Sequence, residues 1–213
     1  MKKTKPLFLV LCAVLLVAVS VFGTLAYLTD TSTVVNTFTV GKVKLKLDEA
    51  VVDQTGTPTG GRTEGGNEYH LIPGETYTKD PTVTVLKGSE ESYVRMLVTF
   101  SCASELDAIF APSGAVLTDI FNGYDATTWV YTAEERNAQE NTITYEFRYK
   151  ETVKADADSD LALVALFDSI TVPQSLTGEQ LETIADMEIS VEAHAIQAAG
   201  FADADEAWNA FSK

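Results

Sequence analysis

The stretch YVRMLVTFSC, residues 93–102, decides the fold class. Val94, Met96, Val98, Phe100 and Cys102 fall on one face. Tyr93, Arg95, Leu97, Thr99 and Ser101 fall on the other. A period of two belongs to a β-strand with one face against a core, because successive side chains of a strand point to opposite sides. On this reading Cys102 points inward as a small buried hydrophobe. The pattern recurs in KVKLKL (42–47), with Val43, Leu45 and Leu47 opposite Lys42, Lys44 and Lys46. It recurs in PTVTVL (81–86) through Val83 and Val85. In TITYEFRYK (142–150) it places Ile143, Tyr145, Phe147 and Tyr149 inward. In MEISVEAHA (187–195) the inward set is Met187, Ile189, Val191, Ala193 and Ala195. EYHLI (68–72), TTWVYT (127–132) and LFDSITV (166–172) are further strand candidates. Pro73-Gly74, Lys87-Gly88, Asn122-Gly123 and Pro173 supply the breaks. Many short alternating strands with turn signals, and no βαβ spacing, predict an all-β fold: a single antiparallel β-sandwich.

Three short helices punctuate it. SELDAIF (104–110) starts with Ser104 three residues before Asp107. TGEQLETIADM (177–187) carries Thr177 and Gln180 at capping-box spacing. DADEAWNAF (203–211) has Ala204, Ala207, Trp208 and Phe211 on one side, which predicts a C-terminal helix docking Trp208 and Phe211 on the sandwich. DQTGTPTGGRTEGGNE (53–68) is rich in Gly and Thr without apolar periodicity and reads as a flexible surface loop.

The N-terminus is of another kind. Lys2, Lys3 and Lys5 precede the apolar run PLFLVLCAVLLVAVSVF, and GTLA (23–26) offers small residues at its end. This is the layout of a signal peptide over residues 1–26, cut between Ala26 and Tyr27. The run is at the short edge for a membrane span, so any membrane attachment would be through an uncleaved leader. LVLC lacks the small residue expected before a lipidated cysteine. Without residues 1–26, which hold three lysines and no acid, the net charge moves from −16 to −19. Such a surface repels nucleic acid and anionic membranes. The domain expected after cleavage is 27–213.

Little in the chain promises chemistry. There are two histidines, His70 and His194, and no HExxH. Asp156, Asp158 and Asp160 alternate as at the start of an EF-hand loop, but Leu161 stands where the loop needs Gly and Phe167 where it needs Glu. They are weak calcium candidates at most, and an acidic turn is the simpler reading. No GxSxG and no phosphate-binding glycine loop is present. No catalytic residue and no cofactor is assigned.

GTLAYLTDTSTVVNTFTVGKVKLKLDE (23–49) resembles the junction and first strands of the TasA/camelysin family of secreted bacterial matrix proteins. LIPGETYTKDPTVTV (71–85), YVRMLVTF (93–100) and EAHAIQAAGFADADEAW (192–208) extend the resemblance, whereas 101–141 carries none. The resemblance implies a jelly roll, a SipW-type signal peptidase that cuts the leader, and a place in the biofilm matrix or on the surface of a Gram-positive-type bacterium. Camelysin-like members have been classed as metallopeptidases, but no recognised ligand set for that activity is seen here. YLTDTSTVVNTFTV (27–40) is dense in Thr and Val, which favour extended backbone. Cleavage leaves it as an arm with no linker, and Tyr27, Val34, Val35, Phe38 and Val40 are its candidate assembly residues. It can serve as the first strand of its own sandwich, or fill an open edge of the next molecule by β-strand addition. The second contact does not close, so it propagates fibres, as the resemblance also implies. The expected partners are copies of the chain or related matrix subunits. A surface metallopeptidase and a monomeric surface-binding module are the alternatives.

Overall fold

The computed structural model describes residues 42–111 and 117–211. The leader, the cleavage pair Ala26 and Tyr27, and the arm residues Tyr27, Val34, Val35, Phe38 and Val40 lie outside the described residues.

The stretch 93–102 forms most of the strand at the heart of the domain. It belongs to β5 (Ser92–Phe100), in which Val94, Met96, Val98 and Phe100 are fully buried. β8 (Thr142–Tyr149) lies beside it, antiparallel, and buries Ile143, Tyr145 and Phe147 in the same core. With β7 (Trp129–Asn137) and β11 (Ile189–Gln197) they make a sheet ordered β11-β5-β8-β7. A second sheet, β2-β1-β4-β9, is built from β1 (Leu45–Val52), β2 (Pro58–Thr63), β4 (Thr82–Val85) and β9 (Leu161–Ala162). A third, β3-β10-β6, is built from β3 (Thr76–Thr78), β6 (Phe121–Asn122) and β10 (Ser169–Thr171). The second and third are joined end to end. Backbone bonds from Leu166 N–H to Pro81 O (3.1 Å) and from Lys79 N–H to Asp168 O (3.2 Å) bridge the gap at Lys79–Pro81, where Pro81 has no N–H to give a ladder.

The sheets are mostly antiparallel, with three short helices, which is the sandwich-like all-β architecture expected. Val83 and Val85 of β4 meet the inward faces of β5 and β8 in one core. Phe121 stacks on Phe167 with ring centroids 4.2 Å apart, and Phe100 meets Tyr145 edge-on at 6.1 Å. Contacts of this kind add to the hydrophobic gain of burying such large side chains.

All three helices form. α1 (Ala103–Phe110) begins one residue before Ser104, with Cys102 as its N-cap in the left-handed region at φ 57°. Cys102 is therefore half-buried at a helix start and does not sit deep in the core as its place in the alternation implied. α2 (Gly178–Thr183) has the capping box of Thr177 and Gln180 in full. α3 (Ala204–Phe211) docks on the outer face of the β5 sheet, with Trp208 buried and Phe211, 42% exposed, over Arg95 and His194. Among the described residues, no helix is long and apolar enough to cross a membrane.

Two segments differ from expectation. Residues 53–68, read as a flexible loop, contain β2, which pairs antiparallel with β1 through Glu49↔Thr63, Ala50↔Arg62 and Val52↔Pro58. Gly56 ties its start to the fold. It has φ +77°, and a Cβ there would lie 2.6 Å from Tyr77 Cα. EYHLI (68–72) forms no strand. Its links are irregular: Tyr69 Oη–H donates to Thr78 O (3.0 Å), and Tyr77 Oη–H to His70 O (2.6 Å).

Candidate functional site

A groove opens beside the first residues of β11, Ile189 to Val191. It begins as a cleft of about 1100 Å³ between the 65–71 segment, β10, α1, α2 and the start of β11. It continues into a smaller recess of about 220 Å³ between β1 and the 188–191 part of β11. Gly65, Gly66, Lys79, Glu188 and Ile189 line both, so the two are continuous. Leu106, Ile109, Leu181 and Met187 give the cleft one apolar wall, and Leu71 and Ile170 belong to the other.

The local sequence explains why β11 leaves this opening. Its inward residues Ile189, Val191, Ala193 and Ala195 pack on the core yet are only half-buried, whereas the equivalent residues of β5 are fully buried. Among the described residues β11 pairs with β5 alone, in an unbroken register from Ile189↔Phe100 to Gln197↔Ser92. Bonds at either end fix which main-chain groups are used: Ser101 N–H to Glu188 O (3.0 Å) and Ala198 N–H to Glu91 O (2.8 Å). In an antiparallel ladder bonded residues alternate. Even-numbered residues of β11 therefore face β5. The N–H and C=O groups of Ile189, Val191, Ala193 and Ala195 face the other way, without a strand partner among the described residues.

β7 is the other outer strand of this sheet, and it is built differently. Eight of its nine residues are exposed, its ladder is bulged between Tyr131 and Ala133, and Glu134, Glu135 and Arg136 crowd its second half. Bulges and charges are how edge strands resist pairing with other chains.

A charged wall borders the groove. Glu49 and Lys79 form an ion pair at 2.7 Å with both side chains about 8% exposed. Asn67 Nδ2 donates to Glu49 Oε1 and to Ala50 O, both at 2.8 Å, which supplies the extra hydrogen bonding a buried pair needs. Next to it, Arg62 bridges Asp48 and Asp80, and Lys46 reaches Asp48 at 2.9 Å. Burial alone would raise the Asp48 carboxyl, but hydrogen bonds from Arg62 and Lys46 and their charges hold it below its usual range. Burial, reinforced by the Glu49 charge, pushes the Tyr69 phenol far up. This network closes the β1–β2 side of the domain and stiffens that wall. Arg62 and Asn67 were hidden from sequence reading inside the supposed loop. The usable signal was the acidic pair Asp48-Glu49 directly after the alternating run KVKLKL, where buried carboxylates demand bases nearby.

The remaining candidates are scattered. Asp156, Asp158 and Asp160 are exposed, and Asp160 Oδ1 is taken by Lys87 N–H (2.8 Å). Asp156 Oδ2 accepts from Ser159 Oγ (3.4 Å), so the run serves as a turn tied to the 87–88 bend. Among the described residues no group of three His, Cys, Asp or Glu side chains is placed to hold a metal, which applies equally to His70 and His194. His194 instead stacks on Phe211 (5.0 Å) and accepts from Arg95 Nε (3.3 Å) on the outer face of its sheet. Arg95 lies 4.5 Å below the Trp208 ring and pairs with Glu146 at 3.1 Å, so this cluster fastens α3. No family model, curated protein or solved structure matches this chain.

Proposed function

We propose that this chain is a secreted structural protein of the bacterial cell surface or biofilm matrix. On this reading it assembles with copies of itself, or with related matrix subunits, into fibres by donating its N-terminal arm as a β-strand. A jelly-roll arrangement of the sandwich belongs to the same proposal, as does cleavage between Ala26 and Tyr27 by a SipW-type peptidase. The observation that carries it is an outer strand of the domain with a half-covered apolar face, next to a groove. Strand addition uses main-chain hydrogen bonds for affinity and alternate side chains for fit, and this edge offers both. The leader-like N-terminus, the Thr- and Val-rich arm and the resemblance to TasA/camelysin proteins point the same way. The strong negative charge suits a matrix protein kept from nucleic acid and anionic membranes.

The test is light scattering on protein exported and processed by a secreting host, with its N-terminus sequenced. The proposal expects species of growing mass that start at Tyr27. A single-mass monomer across salt, pH and concentration would favour a surface-binding module instead. Bound zinc together with casein cleavage in the same preparation would favour a metallopeptidase.

A further inference from the structure

We infer that Lys79 and Asn67 condense with one another, through Glu49, into an amide bond that locks the wall of the groove covalently. Three observations carry it. Glu49 holds both reacting nitrogens on its two carboxylate oxygens: Lys79 Nζ donates to Oε2 at 2.7 Å, and Asn67 Nδ2 donates to Oε1 at 2.8 Å. Both distances are within the reach that proton transfer requires. The Asn67 carboxamide is also fixed on β1. Its Nδ2 donates to Ala50 O at 2.8 Å, and its Oδ1 accepts from Val52 N–H at 3.0 Å. That N–H draws charge from the carbonyl and points at the oxygen on which negative charge gathers when Cγ is attacked. The third observation is burial. Lys79 is the buried lysine among the described residues, and its side chain and that of Glu49 are both about 8% exposed. The raised Tyr69 phenol, which interacts with Asn67 and feels the Glu49 charge, marks the same poorly solvated site.

A proton passed from Lys79 to Glu49 Oε2 leaves an amine and a carboxylic acid, and no charge is buried. The Lys79 lone pair then attacks Asn67 Cγ, the Nζ–Cγ bond forms, and charge gathers on Oδ1. Glu49 returns the proton, through Oε1, to Nδ2. The Cγ–Nδ2 bond breaks, and its electron pair leaves with ammonia. Nζ, which now carries one proton more than an amide holds, gives it to Glu49. The products are an Asn67–Lys79 amide, one ammonia and a protonated Glu49, so atoms and charge balance with no further reactant. Ammonia has a way out, because Asn67 and Lys79 line the cleft, and Lys79 and Glu49 line the recess that continues it. Arg62, which bridges Asp48 and Asp80 next door, cannot react in this way, since a guanidinium does not give up its proton. The bond does not depend on assembly. It closes the chain from 67 to 79 into a ring, and so restricts the unfolded chain as other cross-links do. Chains that have not condensed keep the buried ion pair described above.

The experiment is peptide mapping by mass spectrometry on the full chain from a secreting host, sampled during prolonged incubation at neutral pH. Cleavage after glutamate yields 65–68, which holds Asn67, and 76–90, which holds Lys79, with a cut after Glu75 between them. The inference expects these two as one joined species, lighter than their sum by one ammonia, in a fraction that grows with time. It expects trypsin to leave the joined form uncut after Lys79. Separate peptides at every time would overturn it, whether 65–68 is intact or has lost ammonia by closing Asn67 on its own backbone. Glu49→Gln keeps the side chain's shape and removes the proton carrier, and is expected to leave the two peptides apart, with circular dichroism confirming the fold. A joined species forming as fast in Glu49→Gln as in the parent would overturn the role given to Glu49. The parent digest decides the bond by itself, whatever the fold of the variant.

Discussion

Replacing Lys79 with Met is the most informative test of the groove wall. The Glu49–Lys79 pair is 2.7 Å long, and both side chains are about 8% exposed. In Lys79→Met the Glu49 carboxylate stays buried with Asn67 as its remaining side-chain donor. Removing one partner of a buried pair costs about 3–5 kcal/mol, mostly from the charge left unpaired. For a domain of this size each kcal/mol moves the melting temperature by about 2–4 °C, so Lys79→Met is expected to melt about 6–20 °C lower. The double variant Glu49→Leu/Lys79→Met has no charge to strand, and Asn67 keeps Ala50 O as acceptor. It is expected to recover most of the loss. The assay is thermal unfolding by far-ultraviolet circular dichroism at low protein concentration, so that assembly does not shift the transition. A single variant within about 1 kcal/mol of the parent, or a double variant as unstable as the single, would refute the reasoning.

Trp208→Ala removes a side chain only 2% exposed that covers Arg95, and is expected to cost about 3–5 kcal/mol in chemical unfolding; a loss below about 1 kcal/mol would show that α3 is not fastened there. Gly56→Ala places a Cβ 2.6 Å from Tyr77 Cα at φ +77°, and should lower stability by more than about 1 kcal/mol, whereas Gly61→Ala, with nothing within 4 Å of its Cβ, should lose less. Burial, with the Arg95 charge adding, lowers the His194 pKa, although Glu192 and Glu146 pull the other way. The unfolded chain therefore takes up the His194 proton first, and this contribution to stability is full above about pH 6.5 and declines as pH falls below it. His194→Asn should flatten the stability profile between pH 7.5 and 5.5, and an unchanged slope would count against this.

The parts of the fold legible in sequence were those where one side-chain face decides the structure. β4, β5 and β8 carry a period of two because one face of each is buried, the start of β1 and all of β11 alternate with one face turned to the core, and α2 carries its own cap. β2 was illegible because Pro58, Gly60 and Gly61 disfavour a strand on local grounds. It forms because β1 has an edge to pair with and because Arg62 is drawn to Asp48 and Asp80. EYHLI alternates plausibly but is held by Tyr69 and Tyr77 hydroxyls in place of a ladder. β10 formed inside the strand candidate LFDSITV, whereas β3, β6 and β9 are two or three residues long, too short for any period to register. The alternation correctly chose the inward residues of β11. It could not show that they stay half-covered, because cover depends on which strands lie next to which, and pairing joins residues distant in sequence. The groove is a property of sheet order, and so it emerged only with the topology.

The central claim is that the arm joins one molecule to the next. Electron microscopy of processed protein, with and without Tyr27–Val40, tests it most directly. The account predicts unbranched fibres from the intact form and dispersed single particles from the deletion. Fibres of undiminished length without the arm, or single particles in both, would contradict it.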